Sequence, residues 1–203
     1  IENAPPWDNL KFDADGITEV QRRFFGTLSN TYSFFALYAN IDGFVKNKEH
    51  VSDTALTPLD RWITSKLQSL LIDVTKAYDE YEPTRAARAI QDFVNDHLSN
   101  WYVRLNRKRF WKGELSADKH AAYDTLYNCL YVVSQLAAPI APFYREWLYK
   151  NLTESSRGGA TKNNAAPHVS VHLTDLVKPD KSKIDGELEK SMRYAQQICS
   201  LVH

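Results

Sequence analysis

Apolar side chains recur every three or four residues along most of this chain, which is the spacing of an amphipathic helix. Between these stretches lie polar segments without a period, and those predict loops. The pattern predicts long helices over residues 18–40, 57–80, 83–110 and 116–138, a shorter helix to about residue 152, and a last helix from residue 184.

Residues that favour helix ends support several of these boundaries. Thr18 followed by Gln21 has the pattern of a capping box. Thr57-Pro58-Leu59-Asp60 combines a cap residue, a proline in the first turn and an acid near the positive helix end. Two alternatives stay open for the third helix, which either runs unbroken to residue 110 or is kinked at Ser99-Asn100.

The order of these segments predicts an all-α fold. We expect an antiparallel helical bundle of four to five helices, with a short extended N-terminal segment and a C-terminal helix. The alternating segment at 169–173 predicts either a short strand or an extended docking segment. The predicted divisions are an extended connector at 1–16, the bundle at 17–153, a loop and extended segment at 154–183 and the start of a truncated C-terminal helix at 184–203.

Composition narrows the possible functions. Hydrophobic residues make up 43% of the 203 residues, enough for a sizeable core, and 25 basic residues balance 25 acidic ones. A diffuse basic field is therefore excluded, and a polyanion would have to meet a local patch such as residues 104–112, where five of nine side chains are basic. Cys129 and Cys199 have no partner at metal-ligand spacing, which favours reduced thiols in the cytoplasm. No apolar run reaches the roughly 18–20 residues of a membrane span.

No motif for catalysis or cofactor binding is present. The sequence lacks G-x-G-x-x-G, a Walker loop and G-x-S-x-G. The acidic run at 79–82 ends a helix and is better explained as a solvated terminus than as a catalytic pair. His168 and His172 stand too far apart in an extended segment to share one metal. We therefore predict no catalytic residue, no metal site and no activity for this chain alone.

The most informative stretch is residues 98–111, which reads L-S-N-W-Y-V-R-L-N-R-K-R-F-W. On a helix it divides into two stripes, with Trp101 at the border. The apolar stripe contains Leu98, Trp101, Tyr102 and Leu105, and the basic stripe contains Asn100, Arg104, Arg107, Lys108 and Trp111. Cations beside an aromatic ring suit a nucleic acid, because they neutralise phosphates while the ring stacks on bases. The competing interpretation is a solvated basic face with Trp101 in the core. We expect His97 to pack in the bundle or to cap a helix.

This stretch closely resembles the corresponding segment of isoleucyl-tRNA synthetases, and the resemblance covers nearly the whole chain. Further matching segments lie at residues 3–6, 9–12, 31–40, 60–63, 137–143 and 170–173. The resemblance implies a class I synthetase anticodon-binding bundle without the catalytic HIGH and K-M-S-K-S motifs. The parent would be an ATP-dependent isoleucine–tRNA ligase, with ATP and Mg²⁺ in its missing catalytic domain and no cofactor in this chain.

The same resemblance implies a partner and a set of contact residues. The partners would be the anticodon stem-loop of tRNA(Ile) and the parent's catalytic and C-terminal domains. We expect no binding to DNA or to a membrane. Trp101 matches a tryptophan that stacks on an anticodon base in related bundles. The other candidate RNA-binding residues are Asn100 and Arg104 beside it, Asn30 and Tyr38 on the first helix, and Arg107, Lys108 and Arg109 for phosphates.

Three alternatives stay open at this point. The bundle could come from a valyl- or leucyl-tRNA synthetase, which the fold alone would not distinguish. It could instead be a helical protein-interaction module whose basic face meets an acidic partner. Arg109 lies near the apolar stripe, so it could pair with an acid inside the bundle rather than with RNA, and Asn30 could cap or bridge helices.

Overall fold

The fold is known from a computed structural model that describes Trp7 and residues 14–46, 55–155 and 169–202. Every regular element in these ranges is helical, and they contain no strand, so the all-α prediction is confirmed. The predicted extended connector before residue 14 and much of the loops predicted around residues 50 and 160 lie outside the described residues. None of the described helices is both long and apolar enough to cross a membrane.

The first long helix begins earlier than the sequence predicts. It consists of α1 (Ala14–Val20), a π-helical segment (Gln21–Phe25) and α2 (Gly26–Ile41), which follow one another without a break in helical backbone. Thr18 is not the N-cap, because it lies inside α1 and its Oγ1 donates to the carbonyl of Ala14 at 3.0 Å. A threonine hydroxyl often bonds back to the carbonyl four residues earlier within a helix.

The second long helix, α3 (Pro58–Asp79), begins where the sequence predicts. Its first turn is a capping box in which the Asp60 backbone N–H donates to Thr57 Oγ1 at 3.3 Å. In return, the Thr57 backbone N–H donates to Asp60 Oδ2 at 2.8 Å. The helix ends in a tight turn, where Tyr81 adopts a φ of 57°, and Pro83 then starts the next helix.

The third long helix runs unbroken through the position where a kink was considered. It consists of α4 (Pro83–Asp92), a second π segment (Phe93–Val103) and α5 (Arg104–Trp111). The backbone N–H of Arg104 donates to the carbonyl of Ser99, five residues earlier, which is the hydrogen bond that defines a π-helix. The wider turns of this segment accommodate Ser99 and Asn100 without a bend.

Shorter connections join the remaining helices. The fourth long helix is α6 (Ala117–Leu136), which is capped by Ser116, and α7 (Pro142–Ser155) starts at the predicted proline break. The C-terminal helix α8 (Gly186–Val202) packs on α3. Ser65 and Ser69 of α3 hold this helix in place by donating to Glu189 Oε1 at 2.6 and 3.0 Å.

The segment at 169–173 is a 3₁₀ turn (Val171–Leu173), so the strand alternative is wrong. It docks on α7, where Glu146 Oε2 accepts hydrogen bonds from Ser170 Oγ at 2.9 Å and the Val171 backbone N–H at 3.0 Å. Val171 is buried, and it packs beside Ala138 and Tyr149. The carboxylate of Glu146 therefore accepts hydrogen bonds that a neighbouring strand would otherwise accept.

The third long helix lies at the centre of the arrangement, in contact with the first, second and fourth long helices. Short turns make the second, third and fourth long helices antiparallel to their neighbours in sequence. The first long helix runs parallel to the third, since residues 21–25 pack on residues 93–103 and Phe34 contacts Phe110 further along. One large core of aromatic and aliphatic side chains fills the space between them.

Candidate nucleic-acid interface

The π segment sets which face of the third long helix is buried. The buried positions on this helix recur every four residues, at Leu98, Tyr102, Asn106 and Phe110. A turn closed by hydrogen bonds between residues five apart holds more residues than an α turn. The buried stripe therefore shifts by one residue from the stripe that an ideal α-helix would give.

Leu105 was predicted to lie on the buried apolar stripe, and this prediction is wrong. The side chain of Leu105 is 52% exposed, and the polar Asn106 occupies the buried position beside it. The amide of Asn106 compensates its burial by donating to the carbonyl of Tyr102 at 2.9 Å. Trp101 is partly buried, with part of its indole packed against the core and part at the surface. Trp101 and Leu105, one turn apart, thus form a partly exposed apolar edge.

A basic face lies next to this edge. Asn100, Arg104, Arg107 and Lys108 are all exposed, as predicted, and Lys112 extends the face past the helix end. Within the described ranges, none of the four cations forms an ion pair. Their charges are therefore available for a partner outside the bundle.

The basic face has an acidic limit. Asp96 and Asp92 are exposed one and two turns before Asn100, respectively, on the same helix. Burial, and then the neighbouring charge of Asp96, raise the pKa of Asp92 above its usual value. Since carboxylates repel phosphates, a polyanion would bind from Asn100 onwards and not along the earlier turns.

Arg109 belongs to a different environment, and the structure supports the alternative that it pairs with an acid inside the bundle. Only 15% of its side chain is exposed, and Nη1 donates to Oδ1 of the fully buried Asp60 at 2.9 Å. Nε and Nη2 donate to the Asp118 carboxylate at 3.1 and 2.8 Å. Its donors are occupied by these acids, which corrects its predicted place among the phosphate contacts.

Asp60 connects this ion pair to the start of the second long helix. Its Oδ1 also accepts a hydrogen bond from the hydroxyl of Tyr102 at 2.6 Å, while Oδ2 accepts from Thr57. Burial, and next the charge of Asp60, raise the pKa of Tyr102 well above its usual value. Burial alone would lower the pKa of Arg109, but its hydrogen bonds to Asp60 and Asp118 outweigh burial and raise it. Tyr102 therefore stays neutral and Arg109 stays charged at neutral pH.

His97 packs inside the bundle and does not face the basic surface. Its ring meets Trp62 of α3 edge-on, with ring centroids 5.8 Å apart. Burial, followed by the charge of Lys66, lowers the pKa of His97 to about 4, and Glu189 opposes this effect. His97 is therefore neutral at neutral pH, which agrees with the predicted packing role.

Of the two candidates on the first long helix, Tyr38 is connected to α5 by ring contacts. Asn30 is exposed, and Tyr38 is partly buried. Tyr38 contacts Phe34 at 5.0 Å between ring centroids, and Phe34 contacts Phe110 of α5 at 5.2 Å. This chain of aromatic rings ties Tyr38 to the helix that carries Arg104.

Sequence reasoning missed two features of this surface. The exposure of Leu105 depends on the π segment, and a pattern with the α period does not reveal it. Trp111 is 52% exposed at the end of the basic face, and it was placed on the basic stripe without a role.

No group of three or more potential ligands is placed to hold a metal ion in the described part of the chain. His172 is exposed, and its predicted neighbour His168 lies outside the described residues. Cys129 is buried and Cys199 exposed, and neither forms a disulfide.

An exposed, unpaired basic face beside a partly buried indole on a helical bundle is the kind of surface that an RNA-binding domain presents. Consistent with that class, the family model for the anticodon-binding domain of tRNA ligase matches residues 60–203. The chain belongs to this family.

The individual relatives are more specific. Over all 203 residues the chain is 62% identical to the isoleucine–tRNA ligase of Cytophaga hutchinsonii, of which it covers 18%. It is 55% identical over 202 residues to the isoleucine–tRNA ligase of Bacteroides thetaiotaomicron, of which it covers 17%. A relative from Dehalococcoides mccartyi with the same name is 44% identical over 198 residues, 98% of this chain and 19% of that protein. The chain thus spans about a fifth of the length of these curated relatives, and the predicted resemblance to isoleucyl-tRNA synthetases is confirmed.

Proposed function

We propose that this chain binds the anticodon stem-loop of tRNA(Ile) as part of an isoleucine–tRNA ligase. The observation that carries the proposal is the partly exposed indole of Trp101, held between the core and a row of unpaired cations. Protein domains that recognise RNA sequence mostly bind single-stranded loops, whose bases stack on aromatic rings and donate or accept hydrogen bonds at their edges.

Each candidate residue has a distinct task in this proposal. Trp101 stacks on an anticodon base, while the amide of Asn100 and the guanidinium of Arg104 bond to base edges or the nearby phosphate. Arg107 and Lys108 neutralise phosphates further along the strand. Asn30 and Tyr38 contribute from the first long helix, and Arg109 has no role in RNA contact.

The packing behind Trp101 supports stacking. A ring that must hold a base in a fixed orientation should not rotate freely, and one edge of Trp101 is fixed by the core. Binding then requires little ordering of the protein, so less of the interaction energy is lost. Leu105 lies one turn away and extends the apolar edge on which a base could rest.

The proposed parent joins isoleucine to its tRNA with ATP, and its catalytic domain holds ATP and Mg²⁺ outside this chain. This chain itself carries no cofactor and works in the cytoplasm beside the parent's catalytic and C-terminal domains. The choice of isoleucine over valine or leucine rests on the names of the relatives, which are isoleucine–tRNA ligases.

The proposal is tested by measuring the affinity of the chain for tRNA(Ile) with Trp101→Ala. We expect the dissociation constant to rise about five-fold or more, because a stacked base contributes about 1–3 kcal/mol. Arg104→Ala should also weaken binding. Fluorescence anisotropy with a labelled anticodon hairpin gives both values under the same conditions.

Two matched variants control for general effects of removing a ring or a charge. Phe143→Ala removes a 90% exposed ring at the start of α7, and Arg193→Ala removes an exposed cation of α8. Both should bind tRNA as the natural chain does. Unchanged affinity for both Trp101→Ala and Arg104→Ala would refute the assignment of this surface to RNA.

A salt titration separates RNA recognition from a purely electrostatic contact. The chain should bind tRNA(Ile) more tightly than a DNA duplex of similar charge, and the difference should persist as salt is raised. A module that meets any acidic partner through charge alone would bind both with the same steep salt dependence. Equal affinities across the titration would favour that protein-interaction module.

A further inference from the structure

We propose that Trp111 is a second stacking platform, which holds a nucleobase several nucleotides away from the base on Trp101. This inference rests on the proposed function and deepens it, since it extends the RNA contact to the end of the third long helix. The ligand is single-stranded RNA, namely a further part of the same anticodon loop that contacts Trp101.

The first observation is the exposure of Trp111 at a place where its neighbour is buried. Phe110 is fully buried against Phe34 and Tyr123, while Trp111 turns outward and is 52% exposed. Large aromatic side chains are usually buried, so an exposed indole on a charged face is informative. Tryptophan is also the aromatic ring that attracts cations most strongly, and bases stack on aromatic rings.

The second observation is the set of charges around the ring. Arg107 and Lys108 lie one turn before Trp111, and Lys112 follows it, all exposed and without an ion pair in the described ranges. Glu114 is the nearest acid in sequence, and it is exposed in the loop after the helix. Three cations close to the ring can hold the phosphates on either side of a stacked base.

The chain leaves the helix in a way that keeps the ring open. Lys112 has an extended backbone, and Gly113 adopts a φ of 69°, in the left-handed region that favours glycine. The loop therefore turns away directly after Trp111. Apart from its chain neighbours, nothing lies within 4 Å of the position that a Gly113 side chain would take, so the loop is open at this point.

The spacing along the helix indicates that the two indoles hold different bases. Trp101 and Trp111 are ten residues apart, about 15 Å at 1.5 Å per residue. Stacked bases lie about 3.4 Å apart along one strand, so this distance spans about four base-to-base steps and needs about five nucleotides. Arg104, Arg107 and Lys108 lie between the two rings, where the phosphates of those nucleotides would pass.

The test compares two RNA hairpins that share a stem and carry loops of seven and four nucleotides. With the seven-nucleotide loop, Trp111→Ala should raise the dissociation constant about five-fold or more, while Trp111→Phe retains most of the affinity. With the four-nucleotide loop, which is too short to reach both rings, Trp111→Ala should have no effect and Trp101→Ala should still weaken binding.

The outcomes separate this inference from the proposed function. If Trp101→Ala weakens binding to the long loop and Trp111→Ala does not, the second platform is refuted and the anticodon role stands. If Trp111→Ala weakens both hairpins equally, Trp111 does not hold a separate base, and the inference is also refuted. If the natural chain binds neither hairpin better than a DNA duplex, both proposals fail. Thermal unfolding and the Phe143→Ala variant control for folding and for general loss of a ring.

Discussion

Arg104 and Arg109 lie five residues apart on the same helix, and their environments are opposite. Arg104 is exposed and forms no ion pair in the described ranges, whereas Arg109 is held by Asp60 and Asp118 with 15% of its side chain exposed. In the sequence both are arginines of one basic run. The difference shows that a cation already bound by internal acids is structural, and that an unpaired exposed cation remains available for a ligand.

The two sites also differ in how they contribute to stability. Asp60 is fully buried and bonds to Thr57 at the start of its own helix and to Tyr102 and Arg109 of the third long helix. A buried charge without its partners is strongly destabilising, so each member of this network depends on the others. Arg104 has no such partners, and its removal leaves no buried group unsatisfied.

The largest effect that this comparison predicts is on Asp60→Ala. The substitution leaves Arg109 and Tyr102 without their buried acceptor and removes the Asp60 half of the capping box of the second long helix. We expect the free energy of unfolding to fall by about 4–5 kcal/mol, from the loss of a buried pair and of a cap. Urea unfolding followed by circular dichroism measures this change.

Asp118→Ala is the control for this prediction, because Asp118 binds the same arginine from the surface, with 53% of its side chain exposed. An exposed partner contributes about 1 kcal/mol or less. Equal losses for Asp60→Ala and Asp118→Ala would contradict the distinction between a buried network and a surface pair.

A smaller loss is expected for Arg109→Met, which keeps the apolar stem of the arginine and removes its charge. Asp60 then lacks its cation but keeps its hydrogen bonds to Thr57 and Tyr102. We expect a loss of about 3–4 kcal/mol, within the range for breaking a buried pair. The same urea experiment measures it, and folded Arg109→Met should bind tRNA as the natural chain does.

Arg104→Met is the matched variant at the exposed site. Its free energy of unfolding should stay within about 0.5 kcal/mol of the natural value, as for most surface substitutions. Its affinity for tRNA should fall, and the slope of log affinity against log salt should decrease by about one. If Arg104→Met destabilised the fold and Arg109→Met weakened tRNA binding instead, the assignment of the two arginines would be reversed.

Much of the fold follows from local rules, which explains why the sequence predicts it. The start of the second long helix depends on residues three apart, Thr57 and Asp60, whose side chains and backbones cap each other. The break at Pro139 and Pro142 needs only the missing N–H and fixed φ of proline. By contrast, the start of the first long helix was placed too late, because a mid-helix threonine and a capping threonine look alike in sequence.

The candidate site was harder to predict, since its details depend on contacts that are distant in sequence. Arg109 pairs with Asp60, 49 residues away, and no local pattern identifies that partner. The exposure of Leu105 follows from the π segment, whose wider turns shift the buried face. Asn100, Arg104, Arg107 and Lys108 were predicted correctly as exposed, because charged side chains rarely become buried without a partner.

The titration of His97, a third polar residue of the same helix, sharpens the comparison further. It is partly buried beside Trp62, Lys66 and Glu189, and burial with the charge of Lys66 lowers its pKa from 6.5 to about 4. The unfolded chain therefore binds more protons than the folded one between these pH values, and stability rises with pH across the window. The contribution of His97 to stability is fully present above pH 6.5 and is lost as the pH falls towards 4.

The His97→Phe variant isolates this contribution, because it keeps a ring against Trp62 and cannot titrate. The His97 Nδ1 atom has no hydrogen-bond partner, so the substitution breaks no bond at that atom. Between pH 7 and pH 4 the natural chain should lose about 2 kcal/mol more stability than the variant, after the full shift is discounted for partial exposure. Urea unfolding at several pH values gives both curves, and carboxylates that titrate in the same range cancel in their difference. Parallel curves would mean that His97 titrates alike in the folded and unfolded chains, and would place it at the surface with Arg104 rather than inside with Arg109.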